Sequence, residues 1–285
     1  MAFESIWRHE RLLRQRTMSP DAANESRIRS NTFEQVLSLL RFDLSHIPLH
    51  CTQPEEHPRG QVSLPLDHGS PTPRAPYGGF RLVGFDETGR GSLAGPVTVA
   101  CVSFRLESLS SDTEDLRQSV LQAYVHLNDS KRVTKRRREV LHDLIVADAD
   151  WGIGYASAIE IDCEGIVSAC RNAARRAYRD LGIVGDLVLF DRGLSLGESK
   201  EPSLTPSSVQ ITKGDAKSFH IAAASILAKV RRDALMCELD TRTAMYGFAS
   251  HKGYGSAAHF SAIAQHGPSR FHRRTFLTDL LSPKT

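Results

Sequence analysis

The 285-residue chain predicts an α/β fold: a mixed five-stranded sheet flanked by helices, with a helical extension at the C-terminus. Three observations carry that prediction. Short apolar runs at 81–86, 97–104 and 152–159 form an early group of strands. A helical stripe of apolar residues at 163–181 then intervenes, and two later runs, 187–190 and 209–211, end beside Asp191 and near Lys213. Early strands joined by short connections, followed by a crossover helix and two more strands, suit a sheet with antiparallel and parallel parts.

Taken in order, residues 1–79 form an N-terminal extension. Within it Thr32 is placed to cap a helix over 32–42, with Gln35 at the capping-box position and Phe33, Val36, Leu37 and Leu40 on one face. That helix either docks on the main domain or a partner, or stays a short helix in a flexible arm. Seven prolines from Pro48 to Pro76, with Gly60 and Gly69 among them, leave no apolar period and predict a linker. From residue 80 to 285 the composition becomes that of one folded domain. The strand at 81–86 runs into a Gly-rich turn, and the strand at 97–104 is its antiparallel neighbour. Val140, Leu141, Leu144 and Ile145 form the stripe of a helix near 134–148. Ile166, Val167, Cys170, Ala174, Ala177 and Leu181 do the same for 163–181, and a long helix is predicted over 215–240.

Composition bounds the function. With 40% hydrophobic residues the chain buries a substantial core. The five cysteines, at 51, 101, 163, 170 and 237, have neither zinc spacing nor close pairs, which predicts a reduced cytoplasmic protein. No apolar run is long enough to span a membrane, and the N-terminus lacks the apolar core of a secretory signal. The net charge of +3 is too small to prove a nucleic-acid partner, since only its distribution decides. The densest basic run is Lys131-Arg132-Val133-Thr134-Lys135-Arg136-Arg137-Arg138, and Lys213, Lys217, Arg270, Arg273 and Arg274 add to it. Such a run is either a solvated helix start or a surface that neutralises backbone phosphates.

Four carboxylates stand where a hard cation would want them: Asp86, Glu87, Asp191 and Asp233. Neighbouring side chains on a regular strand point to opposite faces, so Asp86 and Glu87 share a site only if the strand ends or bulges at Asp86. Asp191 closes a later strand, and Asp233 lies in a predicted helix rich in small residues. Three of these acids also have a plain alternative. Asp86 and Glu87 suit a solvated strand edge, and Asp233 suits a surface pair with Arg231 or Arg232.

The stretch Gly84-Phe85-Asp86-Glu87-Thr88-Gly89-Arg90-Gly91-Ser92-Leu93-Ala94-Gly95-Pro96-Val97 resembles the opening motif of the bacterial ribonuclease HII family. Further blocks follow in family order: Asn128-Asp129-Ser130-Lys131, Ile161-Asp162-Cys163-Glu164-Gly165-Ile166, Lys213-Gly214-Asp215-Ala216-Lys217, the run from Ala223 to Asp233, His251-Lys252-Gly253-Tyr254-Gly255, and Gly267 to Phe276. The likeness runs from about residue 80 to 277.

The resemblance implies a ribonuclease H-like fold. It also implies hydrolysis of the RNA strand of RNA/DNA hybrids and nicking on the 5′ side of a lone ribonucleotide in duplex DNA, leaving 5′-phosphate and 3′-hydroxyl ends. It assigns Asp86, Glu87, Asp191 and Asp233 to Mg²⁺ or Mn²⁺, two ions in the catalytic complex. It gives the backbone around Gly89, Arg90 and Gly91 to the 2′-hydroxyl region, Tyr254 to the sugar of the following deoxynucleotide, and Arg90 and Lys252 to phosphates. Lys213 is a further candidate for substrate binding through its charge, and Arg192, outside the family pattern, either touches a phosphate or disturbs the local turn. A monomer acting on hybrid and on ribonucleotide-containing duplex is expected, with any replication or transcription partner unknown. Two departures from the pattern stand out: Thr88 replaces the usual Ala, and Arg192 separates Asp191 from Gly193 in a longer loop. Three alternatives stay open at this point. They are a ribonuclease HIII-like enzyme, a catalytically weak hybrid-binding protein, and a DNA nuclease.

Overall fold

A computed structural model of the chain describes residues 34–47, 80–104, 122–128, 130–131, 133–198 and 206–278. Five strands form one sheet in the order β3-β2-β1-β4-β5. Strand β1 is Leu82–Thr88, β2 Val97–Phe104, β3 Ala149–Ala156, β4 Leu187–Asp191 and β5 Ser207–Ile211. Strands β1, β2 and β3 pair antiparallel, while β1, β4 and β5 run parallel. The fold class predicted from the sequence is the one observed.

Helices cover both faces. Helix α1 spans 34–44, α2 is Lys135–Asp148, α3 Ala158–Leu181 and α4 Phe219–Arg242. Helix α3 packs against one face through Ala169, Cys170, Ala173, Ala174 and Ala177, which meet Phe85, Val99, Cys101 and Phe190 of the sheet. Helix α4 packs against the other, its run Ala222-Ala223-Ala224 and Ile226-Leu227-Ala228 meeting Ala100 and Val102. Small side chains at these positions bring the helix close to the strands, and close approach is what lets α4 reach the carboxylates described below. Two short helices, α5 (Phe248–His251) and α6 (Ala257–His266), complete the tail.

Three boundaries differ from the sequence reading, each for a local reason. Residues 158–162 are helix rather than strand end and loop, because Ser157 and Glu160 form a reciprocal capping box that starts α3 early, ahead of a kink at Gly165 where φ is +78°. Strand β3 accordingly begins at Ala149, paired with Phe104. At the other long helix, Lys213 takes a left-handed backbone and Gly214–Ala216 form a 3₁₀ turn. Ser218 then caps α4, so that helix starts at Phe219.

Helix α1 is part of the core. Val36, Leu39 and Leu40 are buried in the same cluster as Phe104, Tyr124, Leu141 and Phe219. Asp43 is fully buried, and its Oδ2 accepts from the His220 backbone N–H at 2.9 Å and lies 2.7 Å from His220 Nδ1. Thr32, Phe33 and the proline-rich stretch lie outside the described residues. Among the described residues no helix is long and apolar enough to cross a membrane.

Candidate active site

Strand β1 is released on one side only. Its parallel pairing with β4 ends at Phe85 and Phe190, whereas its antiparallel pairing with β2 continues through Asp86, Glu87 and Thr88. The strand therefore neither ends nor bulges at Asp86, contrary to the condition set from the sequence. Instead its β4 edge is open there, and side chains from both faces converge on that edge. Asp86 lies on the α4 face, where the Ser225 hydroxyl favours its charged form. Glu87 lies on the α3 face, where its charge acts on Cys170. Carboxylate oxygens of Asp86, Glu87 and Asp191 meet within 4.8 Å of one another.

Each of these acids is held. The Glu87 backbone N–H donates to Asp86 Oδ1 at 2.8 Å, and Gly214 N–H donates to Asp191 Oδ1 at 2.7 Å. Ser225 in turn bonds Ser130 at 2.9 Å, which ties the Asn128-to-Lys131 block to the wall behind Asp86. Asp129 lies outside the described residues. Arg192 does not disturb the turn after β4. It is exposed, while Gly193 takes φ +90° and Leu194 N–H closes the turn on the Asp191 carbonyl.

The electrostatics are those of crowded, desolvated anions. Burial pushes the Asp86 carboxyl well above the ordinary range, with Glu87, Asp191 and Asp215 adding to the shift and Ser225 opposing it. Burial also raises Glu87, partly offset by Arg90, whose Nη1 lies 3.3 Å from Glu87 Oε1. The other oxygen, Glu87 Oε2, is buried without a hydrogen-bond partner. An all-oxygen donor set with an orphaned carboxylate oxygen and raised proton affinity fits a hard divalent cation.

Asp233 does not join the group. Its Oδ1 accepts from Lys229 Nζ at 2.9 Å, one turn earlier on α4. The pairing with Arg231 or Arg232 considered from the sequence is not made either. The fourth acid whose field reaches Asp86 is Asp215, in the 3₁₀ turn that also supplies the Gly214 N–H. Sequence reasoning quoted that block without using its acid. The available signal was the turn itself, since a Lys-Gly-Asp directly after β5 returns the chain to the strand ends.

The remaining candidates divide by direction. Gly91 is exposed, and a Cβ there would meet nothing within 4 Å. Gly89 has φ +84°, and a Cβ would fall 2.1 Å from Arg232 Nε, so its smallness serves the protein's interior. Arg90 spans from Glu87 to the Gly193 carbonyl. Lys213 is exposed and precedes the Gly214 whose N–H holds Asp191. Tyr254 presents a ring 38% exposed, with the guanidinium of Arg232 5.4 Å from its centre. Lys252, half-buried, rests its ammonium at the surface on the exposed Cys237 Sγ and on the Ala249 carbonyl.

Two arginines expected at the surface are buried braces. Arg232 donates to Pro96, Lys252 and Ala94 carbonyls and to Ser92 Oγ, and Arg273 donates to the carbonyls of Gly89, Arg90 and Gly95. Together they clamp the loop from Gly89 to Pro96. Arg138, from the dense basic run, likewise turns in to the Ser130 and Val133 carbonyls. Lys131, Lys135, Arg136, Arg137, Lys217, Arg270 and Arg274 are exposed, and Arg132 lies outside the described residues.

Comparison with known proteins agrees with this architecture. The chain is 44% identical over 208 residues to a ribonuclease HII of Lachnoclostridium phytofermentans, covering 72% of this chain and 74% of that one. It is 43% identical over 200 residues to a ribonuclease HII of Synechococcus sp. (strain WH7803), covering 70% and 95%. Among solved structures it resembles that of the PCNA:RNase HII complex from Archaeoglobus fulgidus, with TM-score 0.51, 23% identity, and 68% of this chain and 94% of that chain covered. It also resembles Bst-RNase HIII in complex with Mn²⁺, with TM-score 0.50, 14% identity, and coverage of 69% and 64%. These two likenesses show the ribonuclease H-like fold. Residues 83–279 match the ribonuclease HII family along their length, and the chain, an endoribonuclease, belongs to that family.

Proposed function

We propose that this endoribonuclease hydrolyses the RNA strand of RNA/DNA hybrids and nicks duplex DNA on the 5′ side of a single embedded ribonucleotide, leaving a 3′-hydroxyl and a 5′-phosphate. The observation that carries this reading is the convergence of Asp86, Glu87 and Asp191 at the open end of the sheet, with Glu87 Oε2 unsatisfied. These three residues, with Asp215 adjoining, would hold two Mg²⁺ or Mn²⁺ ions. When bound, the ions supply activation of the attacking water and stabilisation of the leaving oxygen.

The chain's own groups do the positioning. Asp86 and Asp191 are pre-set by backbone N–H donors, so their oxygens need no reorganisation. The open space at Gly91 admits a sugar to the backbone, where the 2′-hydroxyl marks ribose. The Tyr254 ring stacks on the sugar of the following deoxynucleotide. Arg192, Lys213 and the exposed cations at 135–137 meet phosphates and make binding fall as salt rises. Arg90 acts first on Glu87, and Lys252, held at the surface by the Ala249 carbonyl, meets a phosphate. A cytoplasmic, monomeric enzyme completes the reading.

A ribonuclease HII assignment is favoured over ribonuclease HIII because the match over 83–279 and the curated relatives are to HII. Cleavage of a DNA duplex containing one ribonucleotide, mapped with Mg²⁺ and then Mn²⁺, tests the proposal. A cut on the 5′ side is expected. No cut with either ion overturns it, and equal cutting of all-DNA duplex would make the protein a general nuclease.

A further inference from the structure

Three linked imidazoles of the C-terminal region, those of His251, His259 and His272, take no part in the carboxylate chemistry. His272 Nδ1 lies 2.9 Å from the Ser269 backbone N, His272 Nε2 lies 3.0 Å from His259 Nε2, and His259 Nδ1 lies 2.9 Å from the Tyr254 carbonyl oxygen. A backbone N–H only donates, so His272 Nδ1 is an acceptor and bears no proton. The neutral ring therefore carries its proton on Nε2 and donates to His259 Nε2. His259 must then carry its own proton on Nδ1, aimed at Tyr254. A second proton on His259 would set N–H against N–H.

The third ring is fixed in the same way. Gly253 N–H donates to His251 Nδ1 at 3.2 Å, and His251 Nε2–H donates to the Tyr246 carbonyl at 2.7 Å. His251 stacks on His259 with ring centres 4.3 Å apart. Burial holds His259 below the usual histidine range and His272 down to about 4, so the chain keeps one polarity at neutral pH.

This directed series starts at Ser269 and finishes under an exposed aromatic ring. The Tyr254 carbonyl also accepts from Ser256 N–H at 2.9 Å, and the Tyr254 N–H donates to the His251 carbonyl. Arg232 holds the neighbouring Lys252 carbonyl at 2.9 Å. The backbone of Tyr254 is thus pinned from below while its ring stays open above.

We propose that His259 and His272 are positioning residues for ribonucleotide recognition: their neutral relay fixes the Tyr254 backbone and with it the place where the ring meets the sugar. The proposal rests on the reading of Tyr254 given above. A brace that served folding alone would be felt equally by every substrate. A brace that aims the ring is felt most where recognition depends on one ribose–deoxyribose junction.

The test compares kcat and KM on a single-ribonucleotide duplex and on a continuous RNA/DNA hybrid, for wild type, Tyr254→Ala, His259→Leu and His259→Asn. Asparagine places an amide N–H near the position of Nδ1 and keeps the donor to Tyr254; leucine removes it. His259→Leu should lower kcat on the single-ribonucleotide duplex about tenfold more than on the hybrid, and His259→Asn should restore most of the difference. Equal loss on both substrates, or no advantage of Asn over Leu, overturns the proposal. If Tyr254→Ala is silent on both substrates, the reading of Tyr254 fails and takes the proposal with it. A selective Tyr254→Ala beside an unselective His259→Leu removes the proposal alone. Should the leucine variant not fold, imidazole ¹⁵N NMR of the wild type decides. A proton on His259 Nδ1 and on His272 Nε2 supports the relay, and the opposite tautomers or a charged ring at neutral pH overturn it.

Discussion

At the open end of the sheet, Asp86, Glu87 and Asp191 crowd together, with the guanidinium of Arg90 on Glu87. One turn away, around the loop from Gly89 to Pro96, the guanidiniums of Arg232 and Arg273 are fully buried among carbonyl oxygens. Both regions concentrate charge of one sign away from water, yet they are finished differently. The arginines spend their N–H groups on the protein, and burial costs them only a lowered proton affinity, Arg273 falling to about 10. Asp86 and Glu87 are left with raised proton affinity, and Glu87 with an orphaned oxygen. A saturated cluster fixes shape, whereas an unsaturated one waits for a ligand.

The comparison breaks most directly at Asp191. Asp191→Asn keeps an oxygen for the Gly214 N–H but removes the charge, so hydrolysis should fall about a thousandfold while salt-sensitive binding of hybrid persists. Near-normal turnover would mean that the unsaturated cluster is not where cations bind. At the saturated cluster the expected loss is of stability instead. Arg232→Met strands the Pro96, Ala94 and Lys252 carbonyls in the interior and should cost about 3 kcal/mol or more, roughly 10 °C in Tm. An unchanged melting curve would show the brace to be dispensable.

A finer cut separates two acids. Asp215→Asn should slow cleavage about a hundredfold, and Asp233→Asn only a few-fold, because Lys229 already occupies Asp233. The reverse order would restore Asp233 as a ligand. The two glycines divide likewise. Gly89→Ala should lower Tm through its clash with Arg232, whereas Gly91→Ala should leave Tm alone and weaken discrimination between ribose and deoxyribose.

The smallest effect is on pH dependence. Because burial raises Asp86 and Glu87, the folded metal-free protein binds those protons more tightly than the unfolded chain does. That contribution is present below the ordinary carboxylate range and is lost as pH rises through the raised values. Metal replaces the protons, so the gain in Tm on adding Mn²⁺ should grow from pH 5 to pH 8. A gain that shrinks with pH would contradict the raised affinities.

Much of this is legible in the sequence. The mixed sheet follows from apolar runs and short connections, and Asp86, Glu87 and Asp191 stand out as acids at strand ends, although β1 runs on to Thr88. What escaped was direction. Arg232 and Arg273 have the composition of a phosphate-binding surface, but both are buried, and nothing in residue type says so. Asp215 and Asp233 both follow blocks of the right kind, and only the 3₁₀ turn after β5 separates them. The start of α3 was readable in Ser157 and Glu160, and the strand assignment overran it.

Helix α1 carries a practical lesson about where this enzyme can be cut. The family match begins at residue 83, so an expression fragment trimmed to that boundary would discard Val36, Leu39, Leu40 and Asp43. It would leave an apolar slot beside Phe219 and take from His220 its buried carboxylate partner. Such a fragment is expected to self-associate, whereas one beginning at residue 34 keeps its own stopper.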